Sequence, residues 1–347
     1  MEEEKAGGPV YILELTQRCN HSCPHCFNVW KLGGPYPEEK LDTEGWKGLV
    51  GKLKEETGCQ FLTLSGGEPL LHRDFFVILA HIHSLGIGTS LITNGSLLTG
   101  EKIGKCIDLG VEIFELPLLS NRREVHNGMS GAPSFDKVVN AVADIKERGG
   151  KVVTVFVATK KNIGDFEKTF ELAFALGVDG IMLNRFNPGG GAVEIMESLL
   201  PSIESLRKTL DSAERLSEKT GIPVSCAIPM PPCVFPMEKY RRVGSGFCPV
   251  GTDSAYYTID PCGNVRPCNH STVILGNLLE MSVKEILESP RLKVFIDAIP
   301  PFCAPCSLKE TCRGSCKASA QVCYGDLMRE EPFLVQAARE LPALAKR

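Results

Sequence analysis

The sequence predicts an α/β protein, a partial (β/α)6 TIM-like barrel with a small Cys-rich C-terminal domain. Three observations lead there. Short apolar or β-branched runs alternate six times with longer amphipathic stretches between about residues 10 and 220. Polar and glycine-bearing motifs follow those runs directly, where parallel α/β folds gather their ligands. Most of the fifteen cysteines fall in two series, one near the N-terminus and one from Cys248 to Cys323.

The predicted strands are Tyr11–Leu15, Phe61–Leu64, Thr89–Thr93, Glu112–Pro117, Val152–Ala158 and Gly180–Phe186. The predicted helices after them are Thr43–Thr57, Arg73–Leu85, Glu101–Leu109, Phe135–Arg148, Asp165–Leu176 and Pro201–Lys219. Strand–helix pairs in series imply a parallel sheet covered by helices. Right-handed crossovers then give an open doubly wound sheet or a curved partial barrel. Residues 1–9 read as an N-terminal tail and 10–220 as the core. Residues 221–247 form a bridge, in which Pro229, Pro231, Pro232 and Pro236 argue against regular structure. Residues 248–326 make the Cys-rich domain, with a hairpin turn over Asp260 to Val265, and residues 327–347 read as one charged helix.

With 347 residues and 43% hydrophobic content the chain can bury a large core. The net charge of −4 comes without a basic stripe, which argues against nucleic acid as a partner. No apolar run is long enough for a signal peptide or a membrane span, so a cytoplasmic location is expected. Fifteen cysteines are many for a reducing compartment, where thiols at ligand spacing point to metal rather than disulfides.

Cys19, Cys23 and Cys26 form a C-x3-C-x2-C run directly after the first predicted strand. Three clustered thiolates can hold three corners of a soft-metal site. The next cysteine is Cys59, so a four-iron cube held here keeps one iron open to an outside molecule. His21 and His25 lie within the run and leave zinc as an alternative. The following strand ends in Ser65-Gly66-Gly67-Glu68-Pro69, and the third in Thr93-Asn94-Gly95-Ser96.

The cysteine run, the Gly-Gly-Glu-Pro loop and the six βα pairs together resemble the radical S-adenosylmethionine (SAM) superfamily. The resemblance implies a [4Fe-4S] cluster on Cys19, Cys23 and Cys26, with SAM on the fourth iron. Reductive cleavage of SAM then yields a 5′-deoxyadenosyl radical that takes hydrogen from a substrate. Gly66 and Gly67 would let backbone approach the methionine moiety, and Glu68 would meet its ammonium. His25 would lie against adenine. Asn94, Ser96 and Ser120 suit ribose hydroxyls, and Arg185 suits a carboxylate. Plainer readings stand beside these: a simple Gly-Gly turn, Glu68 as a helix cap, and Asn94-Gly95 as a turn dipeptide. Cys59 and Cys106 read as ordinary buried thiols.

The second series resembles the SPASM extension of that superfamily, which holds auxiliary iron–sulfur clusters. Cys248, Gly263-x4-Cys268, Cys303-x2-Cys306-x5-Cys312-x3-Cys316 and Cys323 match its order. The resemblance implies one site on Cys303, Cys306, Cys312 and Cys323 and another on Cys248, Cys268 and Cys316. The fourth ligand of the latter is open among Cys233, Cys226, Cys262 and the substrate. A zinc ribbon or rubredoxin-like iron site is the alternative for this region.

Enzymes of this kind often modify ribosomal peptides or proteins, and a maturase is the expected function. The alternatives are cofactor or small-molecule biosynthesis, such as tetrapyrrole decarboxylation, and a non-catalytic iron–sulfur electron-transfer protein. Sulfatase maturation is weakened because Asn269 and His270 follow Cys268 where that group has an Asp. His270 is the candidate base in its place. The first strand begins near Tyr11, so no N-terminal peptide-recognition domain is expected. The substrate is then recognised through a separate leader-peptide-binding protein, through the core itself, or is not a peptide, and an electron donor such as flavodoxin or ferredoxin is the expected partner.

Overall fold

The computed structural model describes residues 9–32 and 36–341. The expected tail, save residue 9, and positions 342–347 of the expected final helix lie outside the described residues. Six strands form the centre: β1 (Val10–Glu14), β2 (Phe61–Ser65), β3 (Gly88–Ile92), β4 (Val111–Pro117), β5 (Lys151–Ala158) and β6 (Gly180–Arg185). Each pairs in parallel with the next. A doubly wound sheet reverses its strand order partway. β1 to β6 never do, so the winding is that of a barrel.

Helices form where the apolar spacing placed them. Thr43–Thr57 is typical: the Asp42 carboxylate accepts from the Gly45 amide, and Gly58 closes the helix at φ 67°. Its Trp46, Leu49, Val50 and Leu53 are buried. Each such side chain contributes about 1.5–3 kcal/mol of burial, offset largely by chain entropy. Helices Phe75–Ser84, Gly100–Asp108, Phe135–Glu147, Phe166–Ala175 and Ile203–Thr220 match the remaining expectations closely.

Three parts differ from expectation. A helix over Arg123–Ser130 precedes the Phe135–Glu147 helix and buries His126, Met129 and Ser130 on one side. The bridge contains two strands, β7 (Val224–Cys226) and β8 (Val243–Ser245), which extend the parallel sheet beyond β6. The prolines themselves lie between those strands in irregular backbone. The last helix runs from Pro332 to Glu340 and, rather than being simply charged, buries Phe333, Leu334 and Ala337.

The Cys-rich region adds β9 (Tyr256–Ile259), β10 (Asn264–Arg266) and β11 (Gly276–Asn277). The sheet order is β11-β10-β9-β1-β2-β3-β4-β5-β6-β7-β8, with β8 and β11 unpaired to each other, so the barrel is open. β9 runs parallel to β1 with Val10 opposite Tyr256 and Leu13 opposite Ile259. The expected hairpin turn is held by Asp260, whose Oδ1 accepts from the amides of Cys262 and Asn264 at 2.8 and 3.0 Å. A buried ion pair between Arg266 and Glu14 crosses the same seam. Arg266 Nη1 also donates to the carbonyls of Asn269 (3.2 Å) and Ser271 (2.9 Å). Among the described residues no helix is long and apolar enough to cross a membrane.

Removing one partner of a buried ion pair strands the other charge. Arg266→Ala is expected to cost about 3–5 kcal/mol in urea unfolding, and Arg266→Met with Glu14→Leu to recover most of it. A cost under about 1 kcal/mol for Arg266→Ala would place the pair with inconsequential surface bridges.

Candidate functional site

The chain leaving β1 is bound edge to edge against the chain leaving β2. The amide of Leu15 donates to the Ser65 carbonyl (3.0 Å), Gly67 to Thr16 (2.7 Å) and Glu68 to Arg18 (2.8 Å). This contact requires both glycines. A Cβ on Gly67 would lie 2.2 Å from the Arg18 carbonyl oxygen, and one on Gly66, at φ 129°, would lie 2.6 Å from that of Thr16. The obstacles are backbone, so no side-chain movement relieves them.

The cysteine loop starts from that anchor. The Cys26 amide donates to the Cys23 carbonyl (3.2 Å), and the His21 amide points at Cys19 Sγ (3.4 Å). Cys23 Sγ donates to the Ser130 carbonyl (3.2 Å), at the end of the unpredicted Arg123–Ser130 helix. A Cβ on Gly131 would lie 2.3 Å from the Ser22 carbonyl oxygen, so this helix presses closely on the loop. Burial, then the neighbouring Cys26 and Cys19 sulfurs, push the Cys23 thiol up to about 12. Metal binding here must therefore displace protons from thiols that repel one another once ionised.

A cavity opens beside this loop at the C-terminal ends of the strands. Cys23, His25 and Cys26 form one side, with Gly66, Gly67 and Asn94 adjoining. Val155, Val157, Phe186 and Ile228 make an apolar wall, and Glu115, Arg185 and Asn187 supply polar groups. Among the described residues no three His, Cys, Asp or Glu side chains converge on a single-ion position. The site suits a cluster and SAM on three counts. It has a triad of neighbouring thiols, the bare backbone of Gly66 and Gly67 on the cavity wall, and a buried Nδ1 of His25 with no partner. Burial pushes the His25 imidazole down to about 4, so the ring is neutral at pH 7.

Several residues expected at this site are placed otherwise. Glu68 does not line the cavity. Its carboxylate is buried and accepts from Thr93 Oγ1 (2.8 Å), the Asn94 amide (2.8 Å) and the Leu70 amide (3.2 Å). It braces the loop after β3 and caps the turn at Pro69–Leu71, rather than meeting an ammonium group. Ser120 is fully buried, donates to Asp165 (2.6 Å) and accepts from the Arg122 amide (2.9 Å), so it faces away from any ribose. Ser96 Oγ donates to Asn94 Oδ1 (2.6 Å) and does not line the cavity. Asn94 does line it, and its Nδ2 donates to Asn20 beside Cys19 (2.8 Å).

Arg185 borders the cavity, but its charge is already matched. Its Nη2 donates to both oxygens of Glu331 (2.7 and 2.8 Å), with both side chains fully buried, and its guanidinium lies 4.5 Å over Phe333. A substrate carboxylate would have to displace Glu331. His270 is 4% exposed and absent from the cavity wall. Its Nε2 donates to the Pro188 carbonyl (2.7 Å), and burial pushes it down to about 4. It packs against Phe27 at 5.4 Å, a clamp between two loops rather than a base open to substrate.

Sequence reasoning missed Asn187 and Glu115. Asn187 lines the cavity while its Nδ2 donates to Cys316 Sγ (3.2 Å), so one side chain touches the cavity and the second cysteine series. Glu115 alternates inward on β4, and burial raises its carboxyl to about 7. The inward side of a strand was readable, but not that this carboxyl meets the cavity.

The C-terminal thiols divide into two groups. Burial first, and then the Cys268, Cys248 and Cys316 sulfurs, raise the phenol of half-buried Tyr256, which places these three thiols around one ring. Cys303, Cys306 and Cys312 share one cavity with Cys233. Cys323, expected there, does not line that cavity; its Sγ is 3.8 Å from the Pro188 carbonyl. Of the candidates for the first group, Cys262 Sγ donates to the Glu38 carbonyl (3.0 Å), and Cys226 is buried in β7 near Arg185. Cys59 and Cys106 are buried in the core.

The family model of the radical SAM superfamily matches residues 13–173, and that of the SPASM iron–sulfur cluster-binding domain matches residues 248–317. Among solved structures, native anSMEcpe with bound AdoMet is similar at TM-score 0.71 and 18% identity, over 97% of this chain and 98% of that one. Streptococcus suis SuiB bound to S-adenosylmethionine gives 0.72 at 16% identity, over 90% of this chain and 73% of that one. SuiB bound to the precursor peptide SuiA gives 0.74 at 14% identity, over 94% and 75%. These structures share the fold. With both family matches in chain order, on a barrel that carries the thiol triad at its rim, the chain belongs to the radical SAM superfamily, has a C-terminal SPASM domain, and takes SAM and iron–sulfur clusters as cofactors.

Proposed function

We propose that this chain abstracts hydrogen from a side chain of a peptide or protein substrate and so modifies it. The observation that carries this reading is the cavity itself. It is bounded on one side by Cys23 and Cys26 and on the other by Asn187, whose amide donates to Cys316. A substrate held there would lie between the SAM-site loop and an auxiliary cysteine. Similarity to SuiB and anSMEcpe, solved with the precursor peptide SuiA and with the Cp18Cys peptide respectively, supports a peptide as the substrate class.

The proposed ligands of the SAM-site cluster are Cys19, Cys23 and Cys26. The cluster and SAM together supply a 5′-deoxyadenosyl radical. The rest falls to the chain. Gly66 and Gly67 hold the cysteine loop and admit the methionine moiety against bare backbone. His25 presents a neutral ring with an unpartnered nitrogen, and Asn94 presents an amide next to Cys19. Val155, Val157 and Phe186 exclude water and position the substrate. Cys248, Cys268 and Cys316 would hold an auxiliary cluster with one iron free of protein thiol. An external electron donor of the flavodoxin or ferredoxin kind supplies the reducing electron.

The substrate class is tested with a uniformly deuterated tryptic peptide digest added to reduced, reconstituted protein and SAM. Deuterium should appear in the 5′-deoxyadenosine released. Cleavage indifferent to the digest but stimulated by a tetrapyrrole would instead mark a cofactor-biosynthetic enzyme.

Two predictions concern the site residues. Gly67→Ala forces apart the backbone at Arg18, so it should lose the SAM-site cluster, read as iron per chain, while the auxiliary iron stays. Retention of that cluster with normal SAM affinity would contradict the anchoring role. Glu115 gains its charge as pH rises through about 7. SAM carries positive charge, so calorimetric affinity should tighten from about pH 6 to about pH 8 in wild type and stay flat in Glu115→Gln. Equal pH dependence in both proteins would remove Glu115 from the binding site.

A further inference from the structure

We infer that Cys233, not Cys323, is the fourth thiolate of the auxiliary cluster on Cys303, Cys306 and Cys312, which closes that cluster to substrate. The inference rests on the iron–sulfur reading of the domain given above. Its first support is placement. Cys233, Cys303, Cys306 and Cys312 line a single cavity of about 700 Å³, bounded by Pro231, Pro232 and Leu334. Cys323 lies on the Lys317–Tyr324 helix and does not border it. The Pro188 carbonyl, 3.8 Å from Cys323 Sγ, also accepts from His270 and Ser319, none of which borders that cavity.

The second support is how firmly Cys233 is presented. Its segment leaves the barrel after β7 and turns on Pro231, whose carbonyl accepts from the amides of Val234 (2.9 Å) and Phe235 (3.0 Å). Phe235 is fully buried and stacks on Phe333 at 5.8 Å, and Arg207 Nη2 donates to the Val234 carbonyl (3.2 Å). The prolines that mark this segment in sequence thus fix the direction of one thiol.

The third support is the backbone after Cys312. Arg313, Gly314 and Ser315 take φ of 52°, 81° and 69°, three left-handed residues in a row of which only one is glycine. Such a run is unfavourable and needs a reason. Here the Ser315 amide donates to the Cys312 carbonyl (3.1 Å), so the turn closes directly behind the thiol that lines the cavity together with Gly314. Gly314 is also pressed against Pro300, whose Cδ would lie 2.4 Å from a Cβ there, so the turn is locked.

Four cysteines saturate a cubane or a smaller cluster. This site then transfers electrons or supports the fold, while the group on Cys248, Cys268 and Cys316, which Asn187 joins to the cavity, keeps the open iron. The order in which the two clusters face substrate follows from which cysteine is used.

The test uses the full chain with Cys19, Cys23 and Cys26 changed to Ala, so that only auxiliary iron is counted. After anaerobic reconstitution, iron, labile sulfide and the dithionite-reduced paramagnetic spectrum are measured for added Cys233→Ala, Cys323→Ala and Cys226→Ala. Cys233→Ala should fall short by one cluster, about four irons for a cube, and lose one spectral component. Cys323→Ala and Cys226→Ala should match the background. Cys233→Asp, which offers a carboxylate in place of the thiolate, should keep iron with an altered spectrum and guards against a folding failure of the Ala variant. Full iron in Cys233→Ala, cluster loss in Cys323→Ala, or an unchanged spectrum in Cys233→Asp overturns the assignment. A parent protein that takes up no auxiliary iron at all would fail the underlying reading as well.

Discussion

The contact between the chain leaving β1 and the chain leaving β2 is the constraint on which the rest of the site depends. Three backbone hydrogen bonds join residues 15–18 to 65–68, and two glycines make room for them. The cysteine loop cannot take its position without that contact, because Cys19 follows Arg18 directly. Glu68, buried beneath, carries the same constraint to the loop after β3 through Thr93 and Asn94. Asn94 returns it to Asn20, closing a circuit around the first thiol. The three donors on that carboxylate hold the loop after β3 in place against the cysteine loop.

A second theme is the union of the barrel with the SPASM domain. The domain shares the β-sheet through the pairing of β9 with β1, and the Arg266–Glu14 pair sits at that seam. At the other end of the barrel the Arg185–Glu331 pair ties β6 to the last helix, and Asn187 joins the cavity wall to Cys316. Buried ion pairs add little net stability over apolar packing but punish misplacement severely. Here they fix how the strands that bear the Cys19–Cys26 loop and the cavity wall meet the segments that bear the C-terminal thiols.

Much of this was legible in the sequence, for physical reasons. Strand–helix alternation declared a parallel sheet covered by helices, and the Thr43–Thr57 helix, closed by the Asp42 cap and Gly58, has the bounds its apolar spacing implied. Cysteine spacing declared the metal chemistry because few other uses explain it. The Arg123–Ser130 helix was missed although its buried residues recur at helical spacing and Gly131 closes it. β7 and β8 span three residues each, too short for a period to appear beside a run of prolines. The direction in which a polar rim residue turns was the harder matter. Ser120 is claimed by Asp165, 45 positions on, and Arg185 by Glu331, 146 positions on. Such partners become adjacent only through the fold, and a local reading assigns these residues to ligand by default.

The central claim is that the Cys19–Cys23–Cys26 loop commits this chain to reductive cleavage of SAM. The most direct measurement is 5′-deoxyadenosine release by the anaerobically reconstituted protein with dithionite and SAM, beside the variant with all three cysteines changed to Ala. The account predicts release by the wild type and none by the variant, while the variant keeps its auxiliary iron. Release that persists in the variant, or a fully loaded and reducible wild type that leaves SAM intact, would contradict it.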